Sequence, residues 1–182
     1  MAKYKSNFQI TSAEDNKTYW IAPTIVTVTA VFCISGNETY ILASKRGKGM
    51  PNEQHKWNIT AGYVDFKDKS MKESASREIY EEIGITIDPN AIKFVEYKDP
   101  DESCANLSLR FCCTIPENYV RDMIKNGSIN SDTASRGGEK NEVEDIKLIN
   151  IRDIDSYEWA FNHKSLIKYL YEKCKIMNKL FS

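Results

Sequence analysis

The sequence predicts a mixed α/β fold, a mixed β-sheet flanked by helices, and three observations predict it. Apolar runs of strand length rich in β-branched residues recur along the chain, two segments carry helical apolar spacing, and the two kinds interleave. With 182 residues, 41% hydrophobic and 28% charged, the chain has the size of one domain with a sizeable core, so a single domain over 1–182 is expected.

The elements follow in order. After a polar lead-in, "TIVTVTAVFCI" (24–34) is β-branched and too short for a membrane, so it reads as a buried strand. "GNE" (36–38) is a hairpin turn, and "TYILASKRG" (39–47) is the returning strand, ending in Lys45 and Arg46. "KGMPNEQHK" (48–56) is a loop by its Gly, Pro and Asn content, and "WNITAGYV" (57–64) a short strand interrupted at Gly62.

A helix over about 71–83 has clear ends: Ser70 and Glu73 form an S-x-x-E capping box, and Gly84 stands where a left-handed cap is needed. Its apolar stripe is Met71, Ala75, Ile79 and Ile83. Two strands, 91–98 and 105–115, surround the "DPDES" turn, and the alternation of Leu107, Leu109 and Phe111 gives the second a core face. Residues 117–141 start with weak helical character and turn Gly/Ser/Asn-rich, which predicts a mobile insertion. A last strand (146–151) precedes a helix over about 162–180 with a stripe at Leu166, Tyr169, Leu170 and Ile176.

Composition narrows the function. Lys and Arg (25) nearly balance Asp and Glu (26), so no global field draws the surface to nucleic acid or an anionic membrane, and no DNA partner is expected. Nothing resembles a signal peptide or a membrane span, and the five cysteines are odd in number without CxxC spacing. A soluble, cytoplasmic protein with buried free thiols is the expectation.

"SREIYEEIGI" (76–85) carries the chemistry. Glu78, Glu81 and Glu82 share one helix face, since steps of three and four relate the first to the others. They repel one another and occupy the last turns, where the macrodipole disfavours each anion by roughly 0.3–1 kcal/mol. The face adjoins the apolar stripe, placing the carboxylates at the margin of the core. A hard divalent cation with water and phosphate ligands would relieve the repulsion. The alternative is a solvated acidic face, with Arg77 paired to Glu73 and Glu81 at four-residue spacing.

"GYVDFKDKSMKESASREIYEEIGI" (62–85) resembles the Nudix signature, whose second half, R-E-U-x-E-E-x-G-U with U aliphatic, is matched by Arg77, Glu78, Ile79, Tyr80, Glu81, Glu82, Ile83, Gly84 and Ile85. The resemblance implies an α/β/α sandwich with a mixed sheet and hydrolysis of nucleoside diphosphates linked to another moiety, with Mg²⁺ or Mn²⁺. It makes Glu78, Glu81 and Glu82 the metal ligands, or ligand and base, and Arg77 their orienting partner, and brings the backbone near Gly62 to the metal cluster. Two departures stand out. One extra residue separates Gly62 from Arg77, and "DFKDK" lacks the usual Gly-Glu, so the early acid is either a displaced Asp68, the preferred reading, or replaced by Lys69. Ala61 stands where a second glycine is common.

Glu142 and Glu144, just before the last strand, are both candidates for a further base or ligand. Lys45 and Arg46 are candidates for phosphate contact, and Trp20 and Trp57 for stacking on a base or ribose, although core packing is the commoner fate of such aromatics. His163 reads as structural, with Asn162 as an N-cap. A hydrolase acting on a nucleotide-type small molecule is the leading expectation, a non-catalytic nucleotide sensor the alternative, and the family resemblance leaves room for a homodimer.

Overall fold

The computed structural model describes residues 8–21, 24–100, 106–129 and 141–180. Strands β1 (Phe8–Thr11) and β2 (Thr18–Ile21) form a separate antiparallel hairpin. The main sheet contains β3 (Ile25–Ser35), β4 (Glu38–Arg46), β5 (Trp57–Asn58), β6 (Thr60–Tyr63), β7 (Lys93–Lys98), β8 (Leu107–Pro116) and β9 (Val143–Asn150). It is mixed: β3 runs parallel to β8, and the other pairings are antiparallel. The helices are α1 (Met71–Ile83), α2 (Glu117–Lys125) and α3 (His163–Leu180).

The near-continuous apolar run of β3 suits a strand covered on both faces. Val31 and Cys33 join Leu42, Ile79, Ile83 and Val120 in a core under α1 and α2. Val28, Ala30 and Phe32 join Ile41, Leu166, Ile167 and Leu170 in a second core under α3. Two helical layers thus enclose the sheet, as the sequence predicts.

The sheet splits at its centre. β4 pairs with the second half of β3, from Val31↔Leu42 to Ser35↔Glu38, whereas β6 pairs with the first half, from Val26↔Tyr63 to Thr29↔Thr60. Beyond Leu42, β4 pairs instead with β5, while β9 pairs with β4 from Tyr40 to Arg46. α1 lies over the split, packed on β6 and β3.

Several local expectations change. The strand read over 57–64 is two strands broken at Ile59, which is fully buried, and Gly62 lies inside β6. The segment read as a mobile insertion opens as the regular helix α2, anchored by buried Val120 and followed by buried Ile129; residues 130–140 lie outside the described part. Met71, the first residue of α1, is 38% exposed and leaves the stripe. On α3, Ile167 and Cys174 face the core, while Tyr169 and Ile176 point outward. Among the described residues no helix is long and apolar enough to cross a membrane, and Cys33, Cys112, Cys113 and Cys174 are buried free thiols.

Candidate active site

The ends of α1 form as the sequence predicts. Ser70 is extended and its hydroxyl accepts from the Glu73 amide at 3.1 Å, while Glu73 accepts from the Lys69 amide at 2.9 Å. Gly84 is left-handed (φ 88°), and its amide donates to the Tyr80 carbonyl. These caps set the rotation of the helix, and with it the direction of the three glutamates.

Glu82 sits over the split and is buried. Its Oε1 accepts from the Ala61 amide of β6 at 3.0 Å, and its Oε2 accepts from the Ser44 hydroxyl of β4 at 3.2 Å and Asn58 Nδ2 of β5 at 3.5 Å. All three partners are uncharged. Burial, together with the nearby negative charges of Glu142 and Glu78, pushes its carboxyl up to about 8 against the hydrogen bonds that favour the anion. Ala61 serves through its backbone, and its φ is not among the positive ones.

Glu78 lies against Gly62. A methyl on Gly62 would stand 2.0 Å from Glu78 Oε2, so glycine is required for the space it leaves and not for its φ. Burial pushes Glu78 up to about 7, with Arg77 opposing the shift and Glu81 and Glu142 adding to it.

Arg77 is the hub. Its Nη1 donates to Glu78 Oε1 at 2.7 Å and to Glu81 Oε2 at 2.8 Å, and its Nη2 donates to the Tyr63 carbonyl. Asp68 receives Nε at 3.1 Å and Nη2 at 3.0 Å in a two-point fork, which holds its carboxyl below the usual range and the guanidinium above its own. The carboxylate of Asp68 is thus turned to the back of Arg77, and Asp65 reaches the cleft wall instead. The pairing of Arg77 with Glu73 does not form, because Glu73 is used at the helix start.

A cleft of about 880 Å³ opens in front of this group, lined by Gly62, Asp65, Arg77, Glu78, Glu81 and Glu142, with Met50 and Pro51 on the loop opposite. The two late acids separate here. Glu142 faces the cleft, where its charge raises both Glu78 and Glu82. Glu144 is bound instead to Lys45 at 2.8 Å and to His55, and these partners lower its carboxyl. Arg46 donates to the Asn52 carbonyl and side chain, stacks over Phe161 at 5.1 Å, and feels the charges of Glu82 and Glu142. Trp57 is a core residue, 8% exposed, with Tyr157 edge-on at 6.0 Å. The side chain of Trp20 lies outside the described part.

Sequence reasoning missed Ser44 and Asn58. The available signal was parity, because Ser44 follows Leu42 on the α1-facing side of β4 and pairs in register with Asn58, so both were due to be buried. Thr27, Thr29 and Thr60 lie in the same polar layer, and the hydroxyls of Thr27 and Thr60 have no hydrogen-bond partner, so the layer costs stability. Among the described residues no three His, Cys, Asp or Glu side chains form a ready-made metal cage, because Glu78 and Glu81 are drawn to Arg77. The donor chemistry nevertheless fits a hard divalent cation: carboxylate oxygens, desolvated and mutually repelling, beside an open cleft.

An α/β/α sandwich with acidic side chains of a signature helix at a split in its sheet defines the class of protein. The NUDIX domain family matches residues 23–170, and the chain belongs to that family. No curated protein matches by sequence. Among solved structures, the NUDIX domain of Shewanella oneidensis NrtR complexed with ADP ribose is similar at a TM-score of 0.63 and 14% identity, over 85% of this chain and 90% of that one. NrtR of the same organism complexed with a 27mer DNA is similar at 0.60 and 17% identity; this chain covers 61% of its length and 82% of its own. A bifunctional NMN adenylyltransferase/ADP ribose pyrophosphatase of Francisella tularensis, complexed with AMP and a Mn ion, is similar at 0.54 and 19% identity, over 84% of this chain and 42% of that one. At these identities the likenesses show the fold.

Proposed function

We propose that this chain is a divalent-cation-dependent pyrophosphohydrolase that cleaves the phosphoanhydride bond of a nucleoside diphosphate linked to another moiety, such as a nucleotide sugar, a dinucleotide or a nucleoside triphosphate. The observation that carries this reading is the convergence of Glu78, Glu81 and Glu142 on one cleft, with Glu82 buried within the field of Glu78 and Glu142 and Gly62 bare of a side chain where Glu78 approaches it. Clustered acids beside a core oppose folding, and a cation-dependent reaction gives them a use. Glu78, Glu81 and Glu82 would hold Mg²⁺ or Mn²⁺, with the Gly62 backbone alongside. The ion supplies Lewis-acid polarisation of phosphate oxygens and an acidified water.

The chain's own groups do the rest. Arg77, anchored by Asp68 and the Tyr63 carbonyl, keeps Glu78 and Glu81 facing the cleft. Glu142, across the cleft, is the general base that takes the proton of the attacking water. Arg46 is the better phosphate contact of the two basic residues, since the Lys45 ammonium is engaged by Glu144. Buried free thiols support a reducing compartment, the cytoplasm, and a homodimer accords with the family.

A non-catalytic nucleotide sensor is the second reading. It is favoured by the way Arg77 already neutralises Glu78 and Glu81, and by the likeness to NrtR, which was crystallised with ADP ribose and with DNA. That likeness also leaves the expectation of no DNA partner without support. The deciding experiment incubates the protein and Mg²⁺ with ADP-ribose, other nucleotide sugars, dinucleotides, dNTPs and capped RNA, and repeats the panel with Glu81→Gln and Glu82→Gln. Turnover by wild type that is lost in the variants is expected. Turnover surviving both substitutions removes the mechanism, and tight nucleotide binding without turnover selects the sensor.

A further inference from the structure

The Ser44 hydroxyl has one proton and two acceptors. Glu82 Oε2 lies 3.2 Å away and Asn58 Oδ1 lies 3.1 Å away, and Ser44 can donate to only one at a time. The amide of Asn58 is set by its own contact: Nδ2 donates to the Ile59 carbonyl at 3.2 Å, which turns Oδ1 toward Ser44. Ser44 and Asn58 face each other in the β4–β5 register, and both are buried, so neither exchanges a lost partner for bulk water.

The geometry points to a hydroxyl switch: Ser44 donates to Glu82 Oε2 while no cation is bound, and turns to Asn58 Oδ1 when a divalent cation takes that oxygen. Asn58 is then a positioning residue whose Oδ1 acts through Ser44 and is needed in the cation-bound state, while its Nδ2 stands 3.5 Å from Glu82 Oε2 when no cation is bound. The inference rests on Glu82 being a cation ligand, as in the function proposed above, and goes beyond it by assigning the two residues that let Glu82 change partners. The Ala61 amide holds Oε1 in both states, so Glu82 changes partners on one oxygen without moving its backbone.

The two residues should therefore act with opposite signs. Without Asn58 Oδ1, cation binding strands the buried Ser44 proton, which weakens binding by about tenfold, the size expected of one unsatisfied buried donor. Without the Ser44 hydroxyl nothing is stranded and the nearer of the two donors to Oε2 is gone, leaving Asn58 Nδ2 at 3.5 Å, so affinity is kept or rises. In the double variant the loss caused by Asn58 is cancelled, a coupling that simple structural damage does not produce.

The test is Mn²⁺ affinity, read from the free-ion EPR signal in the absence of substrate, for wild type, Ser44→Ala, Asn58→Leu and Ser44→Ala/Asn58→Leu. Thermal melting of each metal-free protein checks folding, and Asn58→Ala replaces Asn58→Leu if the larger side chain prevents folding. The expected result is weakening in the Asn58 variant alone, with recovery in the double variant. Equal affinities in all four proteins, additive losses, or no Mn²⁺ uptake by wild type overturns the switch. Turnover does not enter the readout, so a protein that shows this pattern and cleaves nothing ends the hydrolase reading and leaves the switch standing.

Discussion

Glu82 and Glu144 each lie close to a histidine-bearing segment, yet the two regions are built on opposite principles. Glu82 is buried under α1 with uncharged partners, and on the same stretch of backbone the amide of Ile59 donates to Nδ1 of buried His163 at 3.3 Å. Glu144 and His55 are 37% and 62% exposed, share a direct contact, and have Lys45 beside them. Burial raises Glu82 and lowers His163, so the first region favours neutral forms; the hydrogen-bonded contacts with Lys45 and His55 lower Glu144, so the second favours the ion. A carboxylate kept from its counter-ion inside the protein is available to a ligand cation, whereas one already paired at the surface is not.

The largest test of that contrast is Glu82→Gln. It keeps the shape and removes the capacity to ionise and hold a cation, so turnover should fall on the order of 10² to 10⁴-fold. Metal-free thermal stability should hold near neutral pH, where the buried carboxyl is already held largely neutral, and rise above about pH 8, where wild type must carry a buried charge. A variant with near-normal turnover breaks the comparison at its root. Mg²⁺ should raise the melting temperature of wild type more than that of the variant, measured by calorimetry.

Next comes acid. Unfolded His163 titrates near 6.5, whereas burial and the Arg46 charge hold the folded ring down to about 4. Its stabilising contribution is therefore complete above pH 6.5 and is lost as pH falls through the folded value, in all about 3 kcal/mol. Chemical denaturation from pH 7.5 to 4 should show this slope in wild type and lose it in His163→Gln. A slope that persists unchanged places the acid sensitivity elsewhere.

Gly62→Ala sharpens the picture from the other side. The added methyl meets the flexible end of Glu78 and no positive φ is involved, so the carboxylate swings away while the fold stays. Turnover should drop by about a hundredfold, the scale of a 1 Å misplacement. Stability should change by less than about 1 kcal/mol. The smallest effect belongs to Glu144→Gln: an exposed pair is worth about 0–1 kcal/mol, and turnover should stay near wild type. A large loss there would mean that Glu144 enters the cleft in the working enzyme.

Legibility in the sequence followed the range of the interaction. The limits of α1 could be read to the residue, since Ser70, Glu73 and Gly84 act on backbone within a turn of themselves. The three glutamates could be read as a group, because helical spacing alone puts them on one face. The partners of Arg77 could not: Glu73 and Asp68 both lie near it in sequence, and the turn over Asp65 to Asp68 decided in favour of Asp68. The α3 stripe was misjudged at Tyr169 and Ile176, since an apolar residue on a helix shows its period but not which side meets the sheet.

By itself the sequence determined the strand and helix succession, the ends of α1 and the acidic signature, all of which depend on neighbours within a few positions. Only the tertiary structure decided that Glu142 belongs to the cleft and Glu144 to the surface, that Gly62 is a matter of space and not of φ, and that Ser44 and Asn58 meet Glu82. Those outcomes arise where β3 and β4 part and α1 crosses the opening. Contacts between segments distant along the chain are set by packing of the whole sheet, and no local pattern of residues records them.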